Sequence, residues 1–143
     1  MIQRIQTIFL ALAAIASFAV LGQPFATSTQ AVASSAIFSD SVFNVEDNIA
    51  LLVFFAVAGG LAVGALFLFK NRPVQMKLAL LALLANIFGV IWAGYLFTDD
   101  GNQSLAKIGL GVILPIAAVT LHLLARRYIR KDEKLVRSID RLR

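Results

Sequence analysis

Apolar residues run along this chain in four long blocks, residues 5–21, 49–69, 78–97 and 105–124, separated by polar links. An α-helix rises 1.5 Å per residue, so about 20 residues cross the roughly 30 Å hydrocarbon core of a bilayer. The last three blocks reach that length, and the second and third hold no charged residue. The fourth carries Lys107 near its start, where an ammonium can snorkel to headgroups. The first block has a shorter uninterrupted run, 8–21, preceded by Arg4 and followed by Ala31-Val32-Ala33, which is also the shape of a secretory signal peptide. Its single basic residue, and the distance from the run to Ala33, favour a retained helix. The pattern predicts an all-α membrane protein: a bundle of four transmembrane helices.

The polar links punctuate this pattern. Asp47-Asn48 suits the cap of a second helix, and Asn71-Arg72-Pro73 breaks the chain after it. Asp99-Asp100-Gly101-Asn102 is a turn signal between the third and fourth helices. Trp92 and Tyr95 near one end of the third block, and Tyr128 beyond the fourth, suit interfacial belts. The longest link, 22–48, is rich in Ala, Ser and Thr, but its stretch 37–45 is locally apolar and suits a short extended segment packed on the bundle.

Charge then orients the bundle. Of 13 Lys and Arg, only Lys107 falls outside the amino-terminal segment, the 70–77 link and the tail. The other two links carry Asp40, Glu46, Asp47, Asp99 and Asp100 and no basic residue. Basic residues resist translocation, so both termini are expected in the cytoplasm. With 59% hydrophobic and 15% charged residues, the chain departs widely from ordinary soluble domains, near 45–50% and about 25%. The net charge of +5 sits mostly beside an apolar block, which favours an anionic membrane surface over nucleic acid. There is no cysteine, which removes disulfides and thiolate chemistry.

Candidate chemistry is sparse. His122 is the only histidine; one imidazole supplies neither paired haem ligands nor a metal cluster, so no cofactor or metal site is expected. It is read as an interfacial residue ahead of a proton or quinone contact. Asn86 lies mid-block and is expected to hydrogen-bond across a helix interface. The hydroxyls of Ser17 and Thr120 can bond the preceding turn, and Pro115 is expected to kink the fourth helix. Asp99 and Asp100 lack the spaced oxygens of a calcium loop. Gly60 and Gly64 form a GxxxG motif, and Ala85 with Gly89 a second small pair; both are expected at helix–helix contacts.

Residues 1–128 form the expected transmembrane domain and 129–143 a basic helical tail. Leu135, Ile139 and Leu142 recur at helical spacing among the charges, giving an amphipathic extension. Arg126, Arg127, Arg130, Lys131, Lys134, Arg137, Arg141 and Arg143 would meet the inner membrane surface or a cytoplasmic partner.

The ends, Met1-Ile2-Gln3-Arg4-Ile5-Gln6-Thr7 and 129–143, together with Asp47-Asn48-Ile49 and Phe69-Lys70-Asn71-Arg72, resemble a family of small Bacteroidota membrane proteins of uncharacterised function. The resemblance covers the whole chain. It implies four helices in the inner membrane of a Gram-negative cell and brings no activity or functional residue. The expected function is a non-enzymatic accessory or scaffold subunit of a membrane assembly, with the lipid bilayer, other membrane proteins or a second copy as partners. The alternative is a small oligomeric transporter or channel using Asn86, His122 and Pro115. An enzyme acting on lipid or quinone has least support.

Overall fold

The computed structural model describes residues 3–140. Helix ends form where the sequence supplies partners for free backbone groups. Asn48 caps α2 (Ile49–Phe67), its Oδ1 accepting from the Ala50 N–H at 3.0 Å. Asn71 caps α3 (Arg72–Asp99), and Pro73 sits in that helix's first turn, where a missing N–H costs nothing. The helix therefore starts six residues earlier than residue 78, the start of the apolar block. Before both, α1 (Gln3–Ala19) runs into a short 3₁₀ turn. The fourth helix, α4 (Ile113–Asp140), is the other long one. All four segments are long and apolar enough to cross a membrane. The protein is mostly helical, consistent with a membrane protein.

In the bundle α1 packs on α2 and α4, and α3 packs on α2 and α4. Small side chains allow close approach: α2 buries Ala58, Gly59, Ala62 and Ala65, while α3 buries Ala79, Ala82, Gly89 and Ala93. Large apolar side chains such as Ile8, Ile15, Val53, Phe88 and Ile91 point outward. Alanine inside and Ile or Phe outside inverts the pattern of a water-soluble bundle and suits a hydrocarbon surround.

One end of the bundle is closed by a three-stranded antiparallel sheet in the order β2-β1-β3. β1 (Ala26–Ser28) pairs with β2 (Val42–Phe43) and with β3 (Ala106–Ile108). Beneath it Phe25, Phe38 and Phe43 join Val20, Leu51 and Phe55 in one apolar cluster. The Phe25 ring lies 5.2 Å from that of Phe43 and 5.9 Å from that of Phe55. The apolar stretch 37–45 thus packs on the bundle, with Val42–Phe43 extended. Ser35 pins this loop, its Oγ donating to Asp100 Oδ1 at 2.6 Å and accepting from the Phe38 N–H at 2.8 Å.

Two expectations for the fourth block are corrected here. Residues 105–112 are not α-helical: the end of one 3₁₀ turn, β3 and a second 3₁₀ turn (Leu110–Val112) occupy them, held by Gly109 N–H to Phe25 O at 2.8 Å and Gly111 N–H to Pro24 O at 2.9 Å. A Cβ on Gly111 would stand 2.5 Å from Pro24 O, so glycine permits this approach. Lys107 is an exposed strand residue rather than part of a span, suiting an edge that must not pair further. Pro115 falls in the first turn of α4, where no N–H is needed, so it starts that helix instead of kinking it.

The same end carries Asp47. Its Oδ2 accepts the Asn44 N–H at 2.7 Å in a capping box. Burial pushes its carboxyl above the ordinary 3.8, outweighing that hydrogen bond, and Asp40 and Glu46 add like-charge repulsion.

Candidate functional site

Within the bundle, polar side chains are buried at three levels, counted from the end that bears the basic residues. The clusters Leu10, Ala65, Ala79, Ala125, Ile129 and Ala14, Ala62, Ala82 set the levels. Gln6 and Gln75 stand one turn below the first cluster, and both are fully buried. Gln75 Nε2 donates to Ala65 O at 3.0 Å; Gln6 has no partner for either amide atom. His122 lies one turn above Ala125, fully buried, with both ring nitrogens unpartnered. Higher still, Asn86 Nδ2 donates to Ser17 Oγ at 2.9 Å, joining α3 to α1, and Ser17 Oγ donates to Ala13 O at 2.8 Å. His122 thus faces the interior of the bundle, on the same side of α4 as Ala118, Ala125 and Ile129.

At the foot of this column Arg72 Nη2 meets Asp132 Oδ2 at 3.0 Å, tying the start of α3 to α4. That oxygen has no hydrogen-bond partner, so the pair is held as a Coulombic contact. Phe9 stacks on Tyr128 with centroids 5.3 Å apart and locks α1 to α4 nearby. Above the column, Val20, Phe55 and the aromatic cluster close the other end. The apolar cluster of Leu10, Ala65, Ala79, Ala125 and Ile129 lies between the glutamine level and His122. Among the described residues no three His, Asp or Glu side chains gather as metal ligands would.

The expected packing residues fall differently from the motif. Gly60 is exposed, with open space where a Cβ would stand, and Gly64 meets only Leu78 Cδ1 at 3.8 Å. The close contacts are at Gly59, against the Phe18 ring, and at Gly89, against Phe55. The inward face of α2 is one residue out of phase with GxxxG. Ala85 is half-buried beside Asn86.

On the outer flank of α4, Leu123, Arg126, Arg127, Arg130, Lys131 and Lys134 line a groove of about 420 Å³. The Nε of Arg126 is buried there without a partner. The side chain of Arg137, and Arg141 and Arg143, lie outside the described residues. Under the sheet a cavity of about 230 Å³ is bounded by Phe25, Phe43, Phe97, Val112 and Pro115, almost wholly apolar and without polar groups to orient a ligand.

This architecture has a family. The model of the family described as Domain of unknown function (DUF4293) matches residues 2–142. The chain belongs to that family. No curated protein and no solved structure matches the chain.

Gln6 and Gln75 are the buried residues that hydropathy passes over, since each sits at the polar margin of an apolar block. The available signal is phase: Gln6, Leu10, Ala13 and Ser17, and Gln75, Ala79, Ala82 and Asn86, recur every three or four residues along one face. A buried amide without partners costs about 1–3 kcal/mol. Gln6→Met, similar in volume, is therefore expected to raise the unfolding temperature in detergent. A lowered temperature would instead show that Gln6 holds a water or another polar group.

Proposed function

We propose that the chain is a non-enzymatic accessory or scaffold subunit of an assembly in the inner membrane of a Bacteroidota cell, with both termini cytoplasmic. The orientation rests on charge: Lys70, Arg72, Lys77 and the cations of α4 gather at one end, and Asp40, Glu46, Asp47, Asp99 and Asp100 at the other. Alanine-packed helices, with no converging acid–base pair among the described residues, suit a frame better than a reaction centre.

The observation that carries the reading is the reach of α4. The Arg72–Asp132 pair marks the level at which α3 begins, yet α4 continues to Asp140. Those eight further residues extend about 12 Å at 1.5 Å each, with Leu135 and Val136 exposed. A helix projecting past the bundle with apolar side chains exposed among charges suits docking in a partner's groove. The test is affinity purification from native membranes in mild detergent, comparing the full chain with one ended after Lys134. Ending there leaves Ile129 and Asp132 in place, so the bundle keeps its ion pair. A protein that co-purifies in fixed stoichiometry with the full chain, and is lost on truncation, is the expected result. Equal recovery with both chains would remove the tail from the contact, and recovery of neither would sink the accessory reading.

A second reading, an oligomeric transporter, draws on the unpartnered Gln6 and His122. Flux in liposomes that survives substitution of Asn86, His122 and Gln6 together would remove them from any pathway.

A further inference from the structure

We propose that the groove on α4 holds the headgroup phosphate of one anionic phospholipid, with an acyl chain lying along the helix toward Leu123. The groove is lined by five cations, Arg126, Arg127, Arg130, Lys131 and Lys134, and by one apolar residue, Leu123. Arg126, Arg130 and Lys134 recur every four residues, and Arg127 and Lys131 make an adjacent row, so both rows share one flank. Among the described residues no acid lines it: Asp132 turns inward and is held by Arg72.

Depth distinguishes this groove from a diffuse basic surface. Leu123 is eleven residues before Lys134, so the lining spans about 16 Å along the helix axis. Leu123 is about half exposed beside other outward apolar side chains, at the hydrocarbon end. Arg126 lies six residues before Asp132, about 9 Å further along α4 toward Leu123, and its Nε is buried and unpartnered. A guanidinium placed there is costly without an anion, and phosphate matches its fork of donors. A row of cations ending in one exposed apolar side chain suits an amphiphile with a negative head. Inorganic phosphate would use the cations but leave Leu123 idle, and an acidic protein segment would have to enter the hydrocarbon layer.

This inference rests on the membrane reading, not on the docking of 133–140. Its test uses the full chain in nanodiscs of phosphatidylcholine doped with phosphatidylglycerol, with the lipid retained after gentle release counted by native mass spectrometry. Wild type is expected to retain one phosphatidylglycerol in preference to phosphatidylcholine. Arg126→Gln/Arg130→Gln is expected to weaken that retention about thirtyfold, two cations each contributing close to a factor of five near an anionic surface. The control Lys70→Gln/Lys77→Gln removes as much charge from the same end of the bundle but outside the groove, and should change retention less than twofold. Arg127→Gln/Lys131→Gln, on the adjacent row, repeats the test should the first pair fold poorly. Equal loss in the control would mean delocalised attraction and overturn the site. So would displacement of the lipid by 10 mM-scale inorganic phosphate or by an acidic peptide, which would assign the groove to those ligands. A chain that fails to enter nanodiscs would sink the membrane reading itself, a different failure.

Discussion

Gly89→Ala is expected to destabilise the bundle by about 1–3 kcal/mol, the usual cost of forcing a methyl into a packed core. A Cβ at Gly89 would stand 2.8 Å from the Phe55 Cζ. Phe55 is fully buried, with the Phe25 ring behind it, so it has nowhere to retreat. At Gly59 the clash with Phe18 is as close, at 2.7 Å, but Phe18 is 41% exposed and can swing outward. Gly59→Ala is therefore expected to cost less than Gly89→Ala. Gly60→Ala meets nothing and removes a flexible residue from a helix, so stability should hold or rise. Unfolding temperatures of the three variants in one detergent give the ranking. A Gly60 variant that is the least stable of the three would place the GxxxG face, not the Gly59 face, at a contact such as a second copy.

That ranking shows where the sequence is legible and where it is not. Four helices could be read because hydropathy over about 20 residues is a strong signal. Which side of α2 faces inward could not, because a helix that is apolar all round carries no phase. GxxxG counts small residues without locating the face, and here the buried row of Ala58, Gly59, Ala62 and Ala65 runs beside it. The start of α4 is hidden for a related reason. Window hydropathy treats 105–112 as more span, although Ala106, Ile108, Leu110 and Val112 alternate with Lys107, Gly109 and Gly111 in the two-residue period of a strand. Its partner β1 lies about 80 residues away, and such pairing leaves no local trace. Asn86 was legible, since an amide amid hydrocarbon needs a partner across an interface. Ser17 could not be picked as that partner, because its hydroxyl also satisfies its own helix.

The Arg72–Asp132 pair should respond asymmetrically to removal of its two members. Side-chain exposure is 18% for Arg72 and 10% for Asp132. Arg72→Ala strands a short carboxylate that cannot reach solvent, whereas Asp132→Ala strands a long guanidinium that can swing out toward headgroups. Arg72→Ala is thus expected to cost about 2–3 kcal/mol, just under the usual range for breaking a buried pair because some solvent contact remains. Asp132→Ala should cost only about 1 kcal/mol, part of it from a cation left at the positive end of the α3 dipole. The Arg72→Ala/Asp132→Ala chain should recover much of the loss of Arg72→Ala alone, since no uncompensated charge stays buried. Arg72→Met/Asp132→Leu, which refills the volume, should come close to wild type. A double-mutant cycle by chemical unfolding in micelles measures all four. Equal cost for the two alanine singles, with no recovery in the double, would mean that side-chain packing at this level holds α3 to α4 and that the charges are incidental.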